Sequence, residues 1–194
     1  LRDGVQVRVD GIEYYAYLRS AAVDGDLNFA NEYGETPFQG VSPKFQRTAT
    51  GNYENLAAIG PAIAWAPLYG LAHLLVLAGR GLGLPWQPDG YAPPYVILSV
   101  FTSALAGLAI MLAGYRIARR WAEPPEATLA AIALLFGSNL LYYTMREGSF
   151  AHALSGLAAT LYLLAWLRLE ERPSVGRWAV VGLAAGATAL MYWI

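Results

Sequence analysis

The sequence contains no cysteine, and this absence excludes disulfides, thiol catalysis and cysteine-ligated zinc. Charge is scarce as well: only 14% of the residues are charged, whereas a typical soluble domain is about a quarter charged. The formal net charge of −1 offers no basic field for nucleic acid. The sequence also lacks a P-loop, a GxGxxG after a strand, an HExxH and a GxSxG. The sequence therefore carries none of the motif signals for common nucleotide, zinc-protease or serine-hydrolase sites.

Long apolar segments take the place of these features. Hydrophobic residues make up 56% of the chain, and nearly all the long runs follow residue 55. A helix needs about 20 apolar residues to cross a bilayer, and the second, third and fourth runs meet that length. The chain starts without Met and ends inside an apolar run, so we expect a piece of a longer protein. The predicted apolar segments are 55–79, 94–118, 127–145, 150–169 and the truncated 178–194.

Small and polar residues inside these segments suit close helix packing in lipid. Gly107, Gly114 and Gly156 are expected at helix contacts, and Ser138 and Asn139 are expected to hydrogen-bond between helices. The sequence therefore predicts an all-α membrane protein.

Arginines set the predicted orientation, because cytoplasmic loops of membrane proteins are enriched in positive charge. One arginine cluster follows the second segment, and another lies between the fourth and fifth. Both loops are expected in the cytoplasm, and the turn at Arg146–Ser149 is expected on the outside. The two clusters are Arg116, Arg119, Arg120 and Arg168, Arg172, Arg177.

The first apolar segment has two interpretations. Pro61 and Pro67 interrupt it, and Trp65, Tyr69 and His73 continue a polar-aromatic stripe typical of an interfacial helix. Prolines are nevertheless tolerated in spanning helices. We favour a segment that lies along the membrane, which would leave residues 1–54 outside, on the side of Arg146.

The polar, acidic stretch 10–33 precedes these segments. Apolar residues at three- and four-residue spacings predict a helix over 11–23, with Asp10 as N-cap and Glu13 completing a capping box. Residues 1–9 have an extended pattern, and 34–54 are predicted to form a loop. The aromatic residues here and in the next segment are interpreted as interfacial anchors: Tyr14, Tyr15, Tyr17, Tyr33, Trp65 and Tyr69.

Several acids in this stretch are candidates for chemistry. Asp10 can be a structural cap, or a rigid carboxylate that accepts a proton from an attacking hydroxyl. Glu13, Asp24 and Asp26 are either solvated surface acids or supporting acids. The pair around Gly25 could also bind a divalent cation, although no further ligand is indicated.

A second candidate set lies between the third and fourth apolar segments. His152 falls at the edge of an apolar run, where an ionisable group is costly and often functional. His152 could instead be a buried structural histidine, and Arg146 could simply extend its side chain to the membrane interface. Arg146 and His152 could instead bind a phosphate.

The stretch Asp10-Gly11-Ile12-Glu13-Tyr14-Tyr15, the proline-bearing Gly60-Pro61-Ala62 and the arginine-terminated helices resemble the GT-C superfamily of integral-membrane glycosyltransferases. The resemblance is to the bacterial branch similar to protein O-mannosyltransferases and the lipid A aminoarabinose transferase. It implies a GT-C-like transmembrane helix bundle. Residues 1–92 would form an extracytoplasmic loop with juxtamembrane helices at 11–23 and 57–79, and residues 93–194 would supply transmembrane helices.

The resemblance also implies a reaction. A sugar would pass, with inversion, from a polyprenyl-phosphate donor to an acceptor hydroxyl at the outer face of the bacterial inner membrane, with Asp10 as base. Arg146, Glu147 and His152 match by position a region that lines the family's active site. The alternatives to an enzyme are a transporter and a protein that binds or flips polyprenyl phosphate.

Overall fold

The computed structural model describes residue 7 and residues 10–34 and 47–192. These residues form helices and connecting loops without a strand, apart from an isolated bridge between Arg47 and Tyr53. The predicted all-α class is therefore confirmed. The extended pattern at 1–9 and most of the predicted loop at 34–54 lie outside the described residues.

The chain divides into two compact units, residues 1–102 and 103–194. The first unit contains α1 (Asp10–Arg19), which continues into a π-helical turn at Ser20–Asp24, and then α2 (Ala30–Gly34) and α3 (Gly60–Gly81). α4 (Pro93–Ala118) begins in this unit and extends into the second, which adds α5 (Pro124–Phe136), α6 (Leu140–Met145), α7 (His152–Glu171) and α8 (Val175–Met191).

Within the described ranges, three helices are long and apolar enough to cross a bilayer: α3 with 22 residues, α4 with 26 and α7 with 20. The prediction of a membrane protein is supported at this level. α3 meets the length for crossing, so its interpretation as a helix along the surface depends on its prolines and on the family resemblance. Pro61 is tolerated because it lies in the first turn, where a helix lacks hydrogen-bond acceptors for its N–H groups in any case.

The predicted continuous helix at 127–145 is wrong, because α5 ends at Phe136 and α6 begins at Leu140. The Ser138 hydroxyl donates to the Leu134 carbonyl and accepts from the Leu140 amide, at 2.6 and 3.2 Å. These local bonds compete with the helical ladder. The expectation that Ser138 bonds to another helix is therefore also wrong.

Glycines allow close contacts in the second unit, as predicted. A Cβ atom on Gly107 would lie 2.3 Å from the Thr144 methyl group, and one on Gly156 would lie 3.3 Å from Ile110. α4 thereby packs closely against α6 and α7.

Candidate functional site

Asp10 is the first residue of α1 and is exposed, whereas the next two residues, Gly11 and Ile12, are buried. The predicted N-cap position is thus one residue off, since the helix begins at Asp10 itself. Among residues 10–34 and 47–192, Asp10 has neither an ion pair nor a side-chain hydrogen bond. Glu13 lies in the same first turn and is half-buried.

Aromatic packing fixes α1 against α3. The ring centroids of Tyr14 and Tyr15 lie 6.3 and 6.4 Å from that of Trp65, and Tyr15 meets Tyr69 edge-on at 5.9 Å. All four side chains are buried. Such pairs contribute about 0.5–1.5 kcal/mol each beyond the area they bury. The prediction that these residues are interfacial anchors is therefore wrong, because they form the core of this unit.

Arg19, at the end of α1, organises the acidic stretch. Its guanidinium is buried and pairs with Asp24 at 2.5 Å and with Glu32 at 2.6 Å. Its Nε donates to the Asp89 carbonyl at 2.8 Å, and it lies 4.5 Å from the centre of the Tyr91 ring. One cation thus ties α1 and α2 to the loop that precedes α4.

Two of the candidate supporting acids are engaged in this local structure. Asp24 accepts hydrogen bonds from Arg19 and from the Asn31 amide. Asp26 accepts from the backbone N–H of Asn28 at 3.0 Å and from the Ser20 hydroxyl at 2.9 Å, and these bonds lower the pKa of Asp26. Gly25 between them has a φ of +75°, which closes the turn. Within the part of the chain that the structure describes, no group of three or more metal-binding side chains occurs.

Glu32 was not singled out by its sequence context. Its side chain is 1% exposed, and burial raises its pKa despite the neighbouring Arg19. One of its oxygens, Oε2, has no hydrogen-bond partner among the residues that the structure describes. Arg19 and Glu32 were missed because a buried ion pair leaves no local pattern. The available signal was a single cation among several acids between residues 10 and 33.

Backbone carbonyls of the loop before α4 accept hydrogen bonds from two side chains of α1. The Tyr15 hydroxyl donates to the Gly90 carbonyl at 2.5 Å, next to the Asp89 carbonyl that Arg19 contacts. A short bond of 2.6 Å also joins His73 Nδ1 of α3 to the Tyr95 hydroxyl of α4. The contacts of Tyr15 and Arg19 hold α1, the helix that carries Asp10, against this loop, and the His73 bond joins α3 to α4.

In the second unit, His152 is the first residue of α7, inside a group of aromatic rings. Its ring centroid lies 4.1 Å from that of Tyr143, 6.0 Å from Phe150 and 5.8 Å from Tyr192. The side chain is half-buried. An imidazole in such a setting can present one ring nitrogen to a ligand while the rings restrict its orientation.

The turn before His152 is anchored to α4, because the Ser103 hydroxyl donates to the Gly148 carbonyl at 2.6 Å. Glu147 is half-buried within this turn. Arg146 is exposed, and its side chain has no ion pair or hydrogen bond within the described ranges. The Arg146 guanidinium is therefore exposed on a turn whose backbone is bonded to α4.

The first unit therefore holds Asp10, Glu13, Asp24 and Asp26, and the second holds Arg146, Glu147 and His152. No family model matches the chain, and neither does any curated protein or solved structure.

Proposed function

We propose that this chain is part of a membrane glycosyltransferase that moves a sugar from a polyprenyl-phosphate donor to an acceptor hydroxyl, with Asp10 as the base. One observation carries the proposal: the Asp10 carboxylate is exposed at the start of a helix that is otherwise firmly packed. Asp24, Asp26 and Glu32 are all held by other groups of the protein. Asp10, unlike these three acids, has no ion pair or side-chain hydrogen bond within the part of the chain that the structure describes.

The rigidity of α1 suits this role. A base must lie within hydrogen-bond reach of the proton that it removes, and a misplacement of about 1 Å from a distant change can slow a reaction about 100-fold. The buried rings of Tyr15 and Trp65 and the ion pairs of Arg19 hold the helix behind Asp10.

The proposed reaction is a single displacement. The acceptor oxygen attacks the anomeric carbon, its proton passes to Asp10, and the bond from that carbon to the phosphate oxygen breaks with inversion. The lipid phosphate leaves as an anion, so no strong general acid is required. Cations near that anion would stabilise the charge that develops on it.

Arg146 and His152 are the residues that we propose for the donor phosphate. Their assignment derives from the charge pattern of the sequence and from the family resemblance. Arg146 is available in its own unit because it has no partner there among the described residues. Glu147 is included by position, directly after Arg146 in the sequence. We propose that this chemistry takes place at the extracytoplasmic face of a bacterial inner membrane, where the donor's lipid tail remains in the bilayer.

Asp10→Asn tests the proposal, with Glu126→Gln as matched control. Glu126 is likewise an exposed acid in the first turn of a helix, α5. Membranes that contain each variant are given a panel of labelled polyprenyl-phosphate sugars, and release of polyprenyl phosphate is followed. Loss of a positioned base lowers a rate about 10²–10⁴-fold. We expect that loss for Asp10→Asn with donor binding retained, and no such loss for Glu126→Gln.

A protein that only carries or flips the lipid predicts another result. Its flux of lipid-linked sugar would be the same in Asp10→Asn, in Glu126→Gln and in the unmodified chain. That outcome would reject the enzyme.

A further inference from the structure

A groove of about 730 Å³ lies between α7 and α8 in the second unit. Its walls are mostly aliphatic, and Arg168 and Arg177 lie among its lining residues. The volume falls in the range of about 300–1,000 Å³ that is usual for ligand pockets. The aliphatic lining includes Leu161, Leu164, Val180 and Leu183.

The two arginines differ in how they are held. Arg177 Nη1 donates to the carbonyls of Arg168 and Arg172, at 2.5 and 2.9 Å, which fixes its guanidinium beside the end of α7. A guanidinium has five N–H donors, so others remain available. The Arg168 side chain has no ion pair or hydrogen bond in the stretch 47–192.

Nearby acids do not neutralise these arginines, because they and Arg172 outnumber Glu170, the one nearby acid without an ion pair among the described residues. Glu170 accepts from the Trp166 indole at 2.9 Å, and Glu171 pairs with Arg120. The arginine end of the groove therefore keeps an excess of positive charge.

This end also carries interfacial aromatic residues. The indole rings of Trp166 and Trp178 meet edge-on, with centroids 6.2 Å apart. Tryptophan is enriched at the level of lipid headgroups, and arginine loops are enriched on the cytoplasmic side. Both features predict that Arg168 and Arg177 lie at headgroup depth, with the aliphatic part of the groove deeper in the hydrocarbon.

We propose that the groove binds one anionic phospholipid of the membrane, with its phosphate on Arg168 and Arg177 and an acyl chain along the aliphatic walls. Basic pockets between membrane helices bind anionic headgroups in this way, and arginine matches phosphate geometry. The site is distinct from the proposed donor site. His152 and Arg168 are 16 positions apart on α7, which is about 24 Å at 1.5 Å per residue.

The occupant is a membrane lipid and not free phosphate, since free phosphate would leave the aliphatic walls uncovered. A covering protein helix would have to bring acids to meet two arginines. The lipid supplies the negative charge and the apolar chain together.

Native mass spectrometry of the intact protein released from nanodiscs tests the proposal. The nanodiscs contain a mixture of phosphatidylglycerol and phosphatidylcholine. Arg168→Gln is the first variant, and Arg116→Gln is the control, since Arg116 is an exposed arginine in the last turn of another apolar helix, α4. We expect one retained phosphatidylglycerol in the unmodified protein and in the control. Occupancy should fall about fivefold in Arg168→Gln, because one arginine near a lipid surface contributes about 1 kcal/mol.

Leu164→Trp, which fills the groove, tests the apolar part separately. Its control is Leu129→Trp, an exposed position on α5. We expect loss of the retained lipid in Leu164→Trp only. Equal retention in Arg168→Gln and Arg116→Gln would overturn the proposal. So would equal retention of both lipids, or complete loss of the bound lipid on addition of inorganic phosphate.

Discussion

Gly90→Ala should destabilise the first unit because two separate conditions require glycine there. The backbone of Gly90 has a φ of +86°, in the left-handed region. A Cβ atom at this position would lie 2.6 Å from the Tyr69 hydroxyl and 2.7 Å from Arg19 Cγ. Neither neighbour can easily move away, since Tyr69 is buried and Arg19 is held by Glu32 and by a backbone carbonyl.

The two effects can be separated by a control at Gly83, whose φ is +85° but whose Cβ would meet nothing within 4 Å. An L-residue in the left-handed region lowers the free energy of unfolding by about 1–2 kcal/mol, and this loss applies to both variants. Overpacking lowers the free energy of unfolding by a further amount of about 1–3 kcal/mol, and this second loss applies only to Gly90→Ala. For a chain of this length each kcal/mol corresponds to about 2–4 °C in Tm.

Thermal unfolding of the purified protein in detergent measures the difference. We expect Gly90→Ala to unfold about 2–12 °C below Gly83→Ala, by the overpacking term. The Gly90 variant should also lose the proposed transferase activity, because the Gly90 carbonyl accepts the hydrogen bond from the Tyr15 hydroxyl that fixes α1. Equal Tm values for the two variants would refute the close packing of Arg19 and Tyr69 around this loop.

Three further predictions concern single side chains. Burial raises the pKa of Glu32, so ionisation of this carboxyl lowers the stability of the fold as pH rises through that pKa. The Tm of the unmodified protein, relative to that of Glu32→Gln, should therefore increase as pH falls from 7 towards about 4.3, the pKa of a glutamate in an unfolded chain. Gly107→Ala should lower the free energy of unfolding by about 1–3 kcal/mol through its clash with Thr144, whereas Gly182→Ala, with open space on its helix, should leave it unchanged or raise it by up to about 1 kcal/mol. Tyr15→Phe should cost about 1–3 kcal/mol, because it leaves a buried carbonyl without its donor, and chemical denaturation checks both of these variants.

The sequence predicted those parts of the fold that depend on local pattern. The helix after Asp10 and the apolar helices α4 and α7 follow from periodicity and from run length, which are properties of neighbouring residues. The break between α5 and α6 was missed because the apolar run continues on both sides of it. At that break the Leu140 amide donates to the Ser138 hydroxyl, a local contact that run length does not predict.

The arrangement around Asp10 was less predictable, because it depends on contacts between distant residues. Arg19 reaches a carbonyl 70 positions away, and Tyr15 reaches one 75 positions away. Tyr14 and Trp65 have the composition of interfacial residues, yet both are buried. Tyrosine and tryptophan suit either environment, and only the packing of α1 on α3 decides between them.

The sidedness of the acidic stretch tests the account most directly. The absence of cysteine from the sequence allows single thiols to be placed at Leu27, at Arg146 and at Trp121, which are all exposed. Intact cells are treated with a membrane-impermeant maleimide, and labelling is compared before and after permeabilisation. The account predicts that positions 27 and 146 are labelled in intact cells and that position 121 is labelled only after permeabilisation. Labelling of position 27 only after permeabilisation would place Asp10 in the cytoplasm and contradict a transferase that acts at the outer face.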